Sequence, residues 1–362
     1  MTVAAVAQRP QALEPGINPD RHRDTIVRRL ADLLFLPAGQ ISPFEKGLVD
    51  EILSRLYRGL DGGMRLKLAR RLSQLGEPPS RITRLMAADH AEIAALFLER
   101  HELFDETELV HLVGLTGPQH HAMLARRPSL PPAATEALVA TERAEIIETL
   151  LANPGAVFSH RAYEKVGELS RGSAVYQQLL LARSDLPASL AHEMFWWVGP
   201  SSRRIILQRY SMERRLLVEA IADLKHADGQ EAADIDWVFR LSGAVRPRAQ
   251  AGDLAKLSDW LKHPAESGSC EVLAEALAID GETVSRIALD PGGEPLVVLL
   301  KALGLSVSQY KALGPHLALC LADPGEPRLG ELSTLFETLS TDWADLVLRL
   351  WDGQDKPPPP RG

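Results

Sequence analysis

The sequence predicts an all-α protein: an α-solenoid of stacked helical hairpins, followed by a second, acidic all-α part. Leucines recur in steps of 26 to 30 residues, at Leu72, Leu98, Leu124, Leu151 and Leu181. Aromatic residues make up only 5% of the chain, whereas Leu and Ala, which favour helices, carry its apolar content. In each repeat an apolar helix ends, a turn follows and a second helix begins. Hairpins of this kind bury their apolar faces by stacking.

Residues 1–20 contain three prolines and no periodic apolar pattern, so we expect a mobile tail before a first helix at about Arg21–Phe35. The next helix opens with a predicted capping box, because Ser42 precedes a proline at the first helical position and Glu45 lies three residues further on. We expect one stripe of this helix to be buried. Its members are Leu48, Ile52, Leu56 and Tyr57.

The repeat array opens with a helix from Met64 to Leu75, and Ser80 is predicted to cap the helix after it. Three later turns share one phrase, Leu-Ala followed by Arg or Asn and then a proline, at 124–128, 151–154 and 181–187. Asn153 and Asp185 lie where short polar side chains can bond the turn backbone, and the prolines prevent the helix from continuing. We expect the helical-repeat domain to span residues 21–224.

These phrases, preceded by Ile41-Ser42-Pro43-Phe44-Glu45, resemble an alphaproteobacterial family known only as a domain of unknown function, of the DUF2336 type. Its repeats are similar to HEAT and leucine-rich-variant repeats. The resemblance covers Arg21 to about Leu350 and implies an α-solenoid. Because the family has no established catalytic residues, the resemblance implies none here.

The formal net charge of −8 is unevenly distributed. Between Gln250 and Asp352 the chain has sixteen acidic and seven basic residues, a net charge of −9, so the rest of the chain is about neutral. Residues 225–252 are weakly patterned and predict a connection, and 253–352 predict the acidic helical domain, with a Pro-rich tail at 353–362. The repeat returns there, since Ala276-Leu277-Ala278-Ile279 and Ala302-Leu303-Gly304-Leu305 are offset by 26 residues. This acidic part disfavours binding to a phosphate backbone.

An arginine-dense helix follows Pro200 and supplies the candidate binding residues. They are Arg203, Arg204, Arg209 and Arg214, with Trp196 and Tyr210. Basic residues among aromatic ones could bind a nucleotide or RNA by stacking and charge neutralisation. In a structural interpretation, the arginines pair with Glu213, Glu219 or acids of the C-terminal part.

Residues 273–287 are similar to a DNA-binding helix-turn-helix, in which the second helix enters the major groove. Three observations weigh against that function. Ala278 stands where the turn usually has glycine, Glu282 is the only other charge on the reading helix besides Arg286, and the surroundings are strongly acidic. A generic helical hairpin has the same apolar spacing.

No residue pattern predicts catalysis, a metal or a cofactor. His192-Glu193 begins like a zincin helix, but Trp196 occupies the position of the second histidine. Cys270 and Cys320 lack close spacing and are expected to be buried, reduced thiols. No apolar run approaches the length of about 20 residues that a membrane span needs. We therefore expect a cytoplasmic protein.

We expect a non-catalytic helical-repeat scaffold that binds another protein, in bacterial signalling or regulation. The Arg203–Arg215 helix and the acidic C-terminal part are its predicted docking surfaces. The alternative is nucleotide or nucleic-acid binding, through residues 203–215 or the segment 273–287. A third hypothesis is self-association through an exposed apolar repeat face, which would make the protein a homo-oligomer.

Overall fold

The computed structural model describes residues 19–37, 40–100, 103–210, 253–263 and 267–353. Across these residues the protein is all-α, as predicted, with twenty helices and one isolated β-bridge between Leu130 and Ala156. None of the helices is both long and apolar enough to cross a bilayer. The predicted tail up to residue 18, the connection 225–252 and the last nine residues, 354–362, lie outside the described residues.

The chain divides into two compact units, Met1–Ala162 and Tyr163–Gly362, and the boundary falls within the tenth helix. Helices up to this boundary are α1 (Pro19–Leu33), α2 (Pro43–Tyr57), α3 (Gly62–Leu72), α4 (Ser80–Ala87), α5 (Ala91–Leu98), α6 (Glu106–Leu115), α7 (Pro118–Ala125), α8 (Pro132–Val139), α9 (Ala144–Ala152) and α10 (His160–Ser170).

The second unit continues with ten described helices. They are α11 (Ala174–Ala182), α12 (Ala188–Met194), α13 (Pro200–Tyr210), α14 (Asp253–Lys262), α15 (Ser267–Leu277), α16 (Gly281–Ala288), α17 (Glu294–Ala302), α18 (Val307–Cys320), α19 (Glu326–Thr338) and α20 (Thr341–Asp352). Helix α17 forms the centre of this unit. It is buried along almost its whole length and packs against α16, α19 and α20.

In the first unit, helices pack against the helix that lies two positions further along the chain. The pairs are α1 with α3, α2 with α4, α3 with α5, α5 with α7, α6 with α8 and α7 with α9. The recurring leucines end the first helix of successive hairpins in both units, and all are buried. They are Leu72, Leu98, Leu124, Leu151 and Leu181. The 26-to-30-residue repeat therefore corresponds to helical hairpins with two helices each.

A series of side-chain donors joins successive hairpins, and no spacing in the sequence predicts it. At the end of α5, the Arg100 guanidinium donates to the carbonyls of Ser73, Leu75 and Gly76 after α3, at 2.9 to 3.1 Å. One repeat later, Arg127 donates to the carbonyls of Leu98 and Arg100 at 2.5 and 3.2 Å. Carbonyls at a helix end and in the turn just after it have no partner within that helix, so each donor binds acceptors that the preceding repeat leaves open.

The same contact recurs with other residues. Asn153 Nδ2 donates to the carbonyls of Ala125 and Arg127, both at 2.8 Å. In the second unit, the Arg209 guanidinium donates to the carbonyls of Leu181 and Arg183, both at 2.7 Å. We call these four donors, Arg100, Arg127, Asn153 and Arg209, the carbonyl ladder. As predicted, Asn153 also bonds its own turn, since its Oδ1 accepts from Gly155 N at 2.9 Å.

Helix starts confirm one predicted cap and correct another. Ser42 and Glu45 form the capping box of α2, with Ser42 N donating to Glu45 Oε2 at 2.7 Å. Ser80 does not cap α4, because it is itself the first residue of that helix. Its role is taken by Asp50 of α2, whose carboxylate accepts from Arg81 N and Ile82 N at 3.0 and 2.9 Å.

The buried stripe of α2 includes Tyr57, as predicted, but its other members lie one position later in the chain than expected. The structure buries Val49, Leu53 and Tyr57, whereas Leu48 is 49% exposed and Ile52 and Leu56 are only half-buried. Apolar residues occupy two adjacent stripes of this helix, and helical spacing alone does not select between them. Packing on α1 and α4 selects the stripe that contains Val49.

Candidate functional site

The first predicted binding residue, Arg203, lies in a buried ion pair of the second unit. Its guanidinium binds the Asp290 carboxylate through two hydrogen bonds of 2.6 and 2.8 Å, and Nε donates to the carbonyl of Phe195 at 3.0 Å. Glu294 lies 3.5 Å from the same guanidinium. The Arg203 side chain is only 9% exposed, so all of its charged hydrogen bonds are internal.

The ion pair extends into a network at the start of α17 and α19. Glu294 also pairs with Arg328, whose guanidinium donates to the Gly292 carbonyl at 2.5 Å. Arg328 and Arg204 then share Glu331, at 3.1 and 2.6 Å. These hydrogen bonds lower the pKa of the Glu331 carboxyl. Acids of the C-terminal part thus pair with two arginines of α13, as the structural interpretation predicted.

The remaining predicted binding residues are not brought together as a site. Arg209 belongs to the carbonyl ladder. Trp196 packs edge-on against Phe195 and Trp351, with ring centroids 5.7 and 5.1 Å apart, and so forms part of a buried aromatic cluster. Tyr210 is the last residue of α13, and its side chain lies outside the described set, as does the whole of Arg214.

The segment 273–287 forms two helices, α15 and α16, separated by a tight turn. Ala278 in the turn has a φ of +54° and is held by a Schellman motif, with Ile279 N donating to the Ala274 carbonyl at 3.1 Å. On α16 the Arg286 guanidinium lies 3.5 Å from the centre of the Trp196 ring, and burial lowers its pKa to about 10. The basic side chain of the supposed reading helix is therefore packed against protein.

Histidines and cysteines of the described residues form no metal site. No group of three or more His, Cys, Asp or Glu side chains there could hold an ion. His192 is fully buried, and burial lowers its pKa to about 3. Cys270 is buried, and burial raises the pKa of the half-buried Cys320 thiol, which donates to the carbonyl of Leu261.

The outer face of α15 presents an acidic and apolar surface. Glu271 and Glu275 are exposed on one line of the helix, and Val272 and Ala276 are exposed on the line beside it. Val272 is 65% exposed. We call these four residues the α15 face. The sequence signal for this face is a pair of glutamates four residues apart, and it lies outside the residues that resemble a helix-turn-helix reading helix.

The acidic part also contains a repeated sequence motif that the helical spacing did not reveal. Asp290-Pro291-Gly292-Gly293-Glu294-Pro295 and Asp323-Pro324-Gly325-Glu326-Pro327 share the order Asp-Pro-Gly, then Glu-Pro. Both aspartates accept a hydrogen bond from the glycine two residues on, at 2.9 and 3.4 Å. Asn153-Pro154-Gly155 makes the same turn in the first unit. Within the part of the chain that the structure describes, Asp290 also pairs with an arginine, Arg203, and Asp323 does not.

Comparison with curated proteins and with solved structures gave no match for this chain. A family model described as "uncharacterised protein conserved in bacteria (DUF2336)" matches residues 93–349. The match begins in α5 and ends in α20, so it includes the Arg203 network and the α15 face. It covers well over half of the chain, which therefore belongs to this family of uncharacterised proteins conserved in bacteria.

Proposed function

We propose that this protein is a non-catalytic scaffold that binds another protein through the α15 face. The proposal includes the finer expectations of the sequence: a HEAT-like α-solenoid, an alphaproteobacterial source, a cytoplasmic location and a role in bacterial signalling or regulation. Its partner carries a basic segment. The single observation that supports this most strongly is the pair Glu271 and Glu275, exposed beside Val272 on one helix face.

The energetics of this face favour a basic ligand. Like charges four residues apart on a helix destabilise it by about 0.2–0.5 kcal/mol, and within the described residues neither glutamate has an ion-pair partner. A lysine or arginine from a partner would remove this repulsion. The adjacent Val272 and Ala276 supply apolar area, and interfaces gain most of their affinity from apolar area that polar groups surround.

The arginine network supports the same assignment by elimination. Arg203 pairs with buried acids, Arg204 pairs with the exposed Glu331, and Arg209 donates to carbonyl groups, so each of these cations already has a partner within the chain. The nucleic-acid alternative remains a prediction, and no contact of the described residues favours it. A negative α15 face repels phosphates, because nucleic-acid affinity depends on cations that displace counterions.

The test is affinity capture from the native bacterium with wild-type protein and the double variant Glu271→Lys, Glu275→Lys. A matched control, Glu145→Lys with Glu148→Lys, makes the same charge change on α9, where both glutamates are also exposed. We expect a protein that wild type and the control retain and the α15 variant loses. The purified partner should then bind more weakly as salt rises, since exposed charges are screened.

Equal capture by all three proteins contradicts the proposal, because the α15 face would then contribute nothing. Equal loss from both variants also contradicts it, since that result reports net charge and not a specific surface. A mobility-shift assay with DNA and RNA at low salt is run in parallel. Binding that disappears with Arg204→Glu and survives changes on α15 would favour the nucleic-acid alternative instead.

A further inference from the structure

Helix α2 carries a line of exposed side chains opposite its buried stripe. Phe44 is 82% exposed and Leu48 is 49% exposed, whereas Val49 and Leu53 point into the core. Two turns beyond Leu48, the line continues with Arg55, which is 79% exposed and pairs with Glu51 at 2.5 Å. Along the helix, this α2 line therefore consists of an aromatic residue, an aliphatic residue, an acid and a base.

The capping box fixes the aromatic end of the line. Ser42 and Glu45 hold the first turn of α2, which places Phe44 on the outside of the helix. Three more large apolar residues, Leu33, Phe35 and Leu36, are partly exposed at the end of α1 in the same hairpin. Large apolar residues that are exposed together mark an interaction surface, whereas apolar residues exposed singly are common on any protein. This hairpin presents five of them, counting Phe44 and Leu48.

We propose that the α2 line binds the α2 line of a second copy of this chain, in antiparallel orientation about a twofold axis. A twofold interface must be self-complementary: if residue i contacts j, then j contacts i. With the axis between Leu48 and Glu51, Phe44 of each copy faces Arg55 of the other. Leu48 lies against the aliphatic part of Glu51 near the centre.

Charge and geometry both favour this arrangement over a parallel one. An arginine over an aromatic face is attracted by the ring electrons. Antiparallel pairing forms this contact twice, whereas parallel pairing places Phe44 beside Phe44 and Arg55 beside Arg55. Antiparallel helices also bring the positive N-terminal end of each α2 next to the negative C-terminal end of the other.

Sedimentation equilibrium of the full chain over a wide concentration range tests the proposal. We expect a monomer–dimer equilibrium that Phe44→Ala with Leu48→Ala weakens by about tenfold or more. The matched control is Leu115→Ala, which removes a 62% exposed leucine at the end of α6 and should leave the dimer unchanged. Because the replaced side chains are largely exposed, we expect far-UV circular dichroism to show unchanged folding in each variant.

A double-mutant cycle tests the orientation. Phe44 and Arg55 are eleven residues apart, about 16 Å along one helix, so they cannot touch within one chain. Arg55→Met should weaken the wild-type dimer about two- to fivefold and have almost no further effect in Phe44→Ala. A chain that stays monomeric at every concentration overturns the proposal, as does a dimer that Phe44 and Leu48 do not affect. Independent effects of Phe44 and Arg55 overturn the antiparallel arrangement.

Discussion

Replacing Arg203 by methionine separates a folding role from a docking role for the arginine-rich helix α13. The change keeps most of the side-chain volume and removes the guanidinium that binds Asp290, Glu294 and the Phe195 carbonyl. Both carboxylates are less than 10% exposed. Removing one partner of a buried ion pair leaves an uncompensated charge and costs about 3–5 kcal/mol.

The matched control is Arg204→Met on the same helix. The pair of Arg204 with Glu331 is more than 40% exposed on both sides, and exposed pairs contribute at most about 1 kcal/mol. Urea unfolding followed by far-UV circular dichroism at pH 7 measures both variants. We expect a large fall in the unfolding midpoint for Arg203→Met and a small one for Arg204→Met.

Two further variants protect the result against a chain that fails to fold. Arg203→Lys keeps the charge but loses the paired hydrogen bonds, so its free energy of unfolding should be intermediate. Combining Arg203→Met with Asp290→Asn should recover stability relative to the sum of the single changes, because the buried charge is removed and an amide oxygen can still accept from Gly292 N. Losses below about 1 kcal/mol for both Arg203 variants would refute the argument and return Arg203 to the candidate ligand-binding residues.

Three other predictions concern backbone and burial. Ala278 and Gly304 each follow a helix with a positive φ, +54° and +79°. Ala278→Gly should therefore raise the free energy of unfolding and Gly304→Ala should lower it, by about 0.5–1 kcal/mol each in urea unfolding. Changes in the same direction for both variants would contradict the correspondence between the two repeats. Gly155→Ala should lower thermal stability strongly, since a Cβ there lies 1.9 Å from the Pro128 carbonyl oxygen, whereas Gly172→Ala meets open space and should be nearly neutral. Burial lowers the pKa of His192 to about 3 in the folded protein, whereas histidine in the unfolded chain has a pKa of about 6.5. The unfolded state therefore binds the extra proton first, and the free energy of unfolding should fall as the pH drops below about 6.5. Between pH 7 and pH 5 the wild type should lose about 2 kcal/mol more than His192→Leu, and a constant difference between them would contradict the burial argument.

Helix periodicity and turn residues were sufficient to predict the fold class and the repeat. The five leucines at the ends of α3, α5, α7, α9 and α11 are all buried, and the Ser42 capping box is present. These features depend on residues near each other in sequence, where spacing is informative. In the predicted stripe of α2, Tyr57 is buried but Leu48 is not, because Leu48 and Val49 are both apolar and tertiary packing selects between them.

Long-range pairing was the part that spacing could not predict. Arg203 and Asp290 are separated by 87 residues, and nothing local distinguishes this arginine from its neighbour Arg204. Burial makes the difference between them, since the first side chain is 9% exposed and the second 43%. The α15 face could not be predicted for a related reason. Its glutamates are informative because no basic side chain of the described residues pairs with them, and spacing in the sequence does not show this.

The carbonyl ladder has a consequence for how the chain folds as it is made. The carbonyls after α3, α5 and α7 receive their donors from Arg100, Arg127 and Asn153, which are synthesised about one repeat later. In a hairpin that is emerging from the ribosome, the carbonyls after the first helix therefore have no side-chain donor until the first helix of the next hairpin has been translated. Folding of each repeat should therefore lag translation by one repeat, with the most recently made hairpin as the least stable part of the nascent chain.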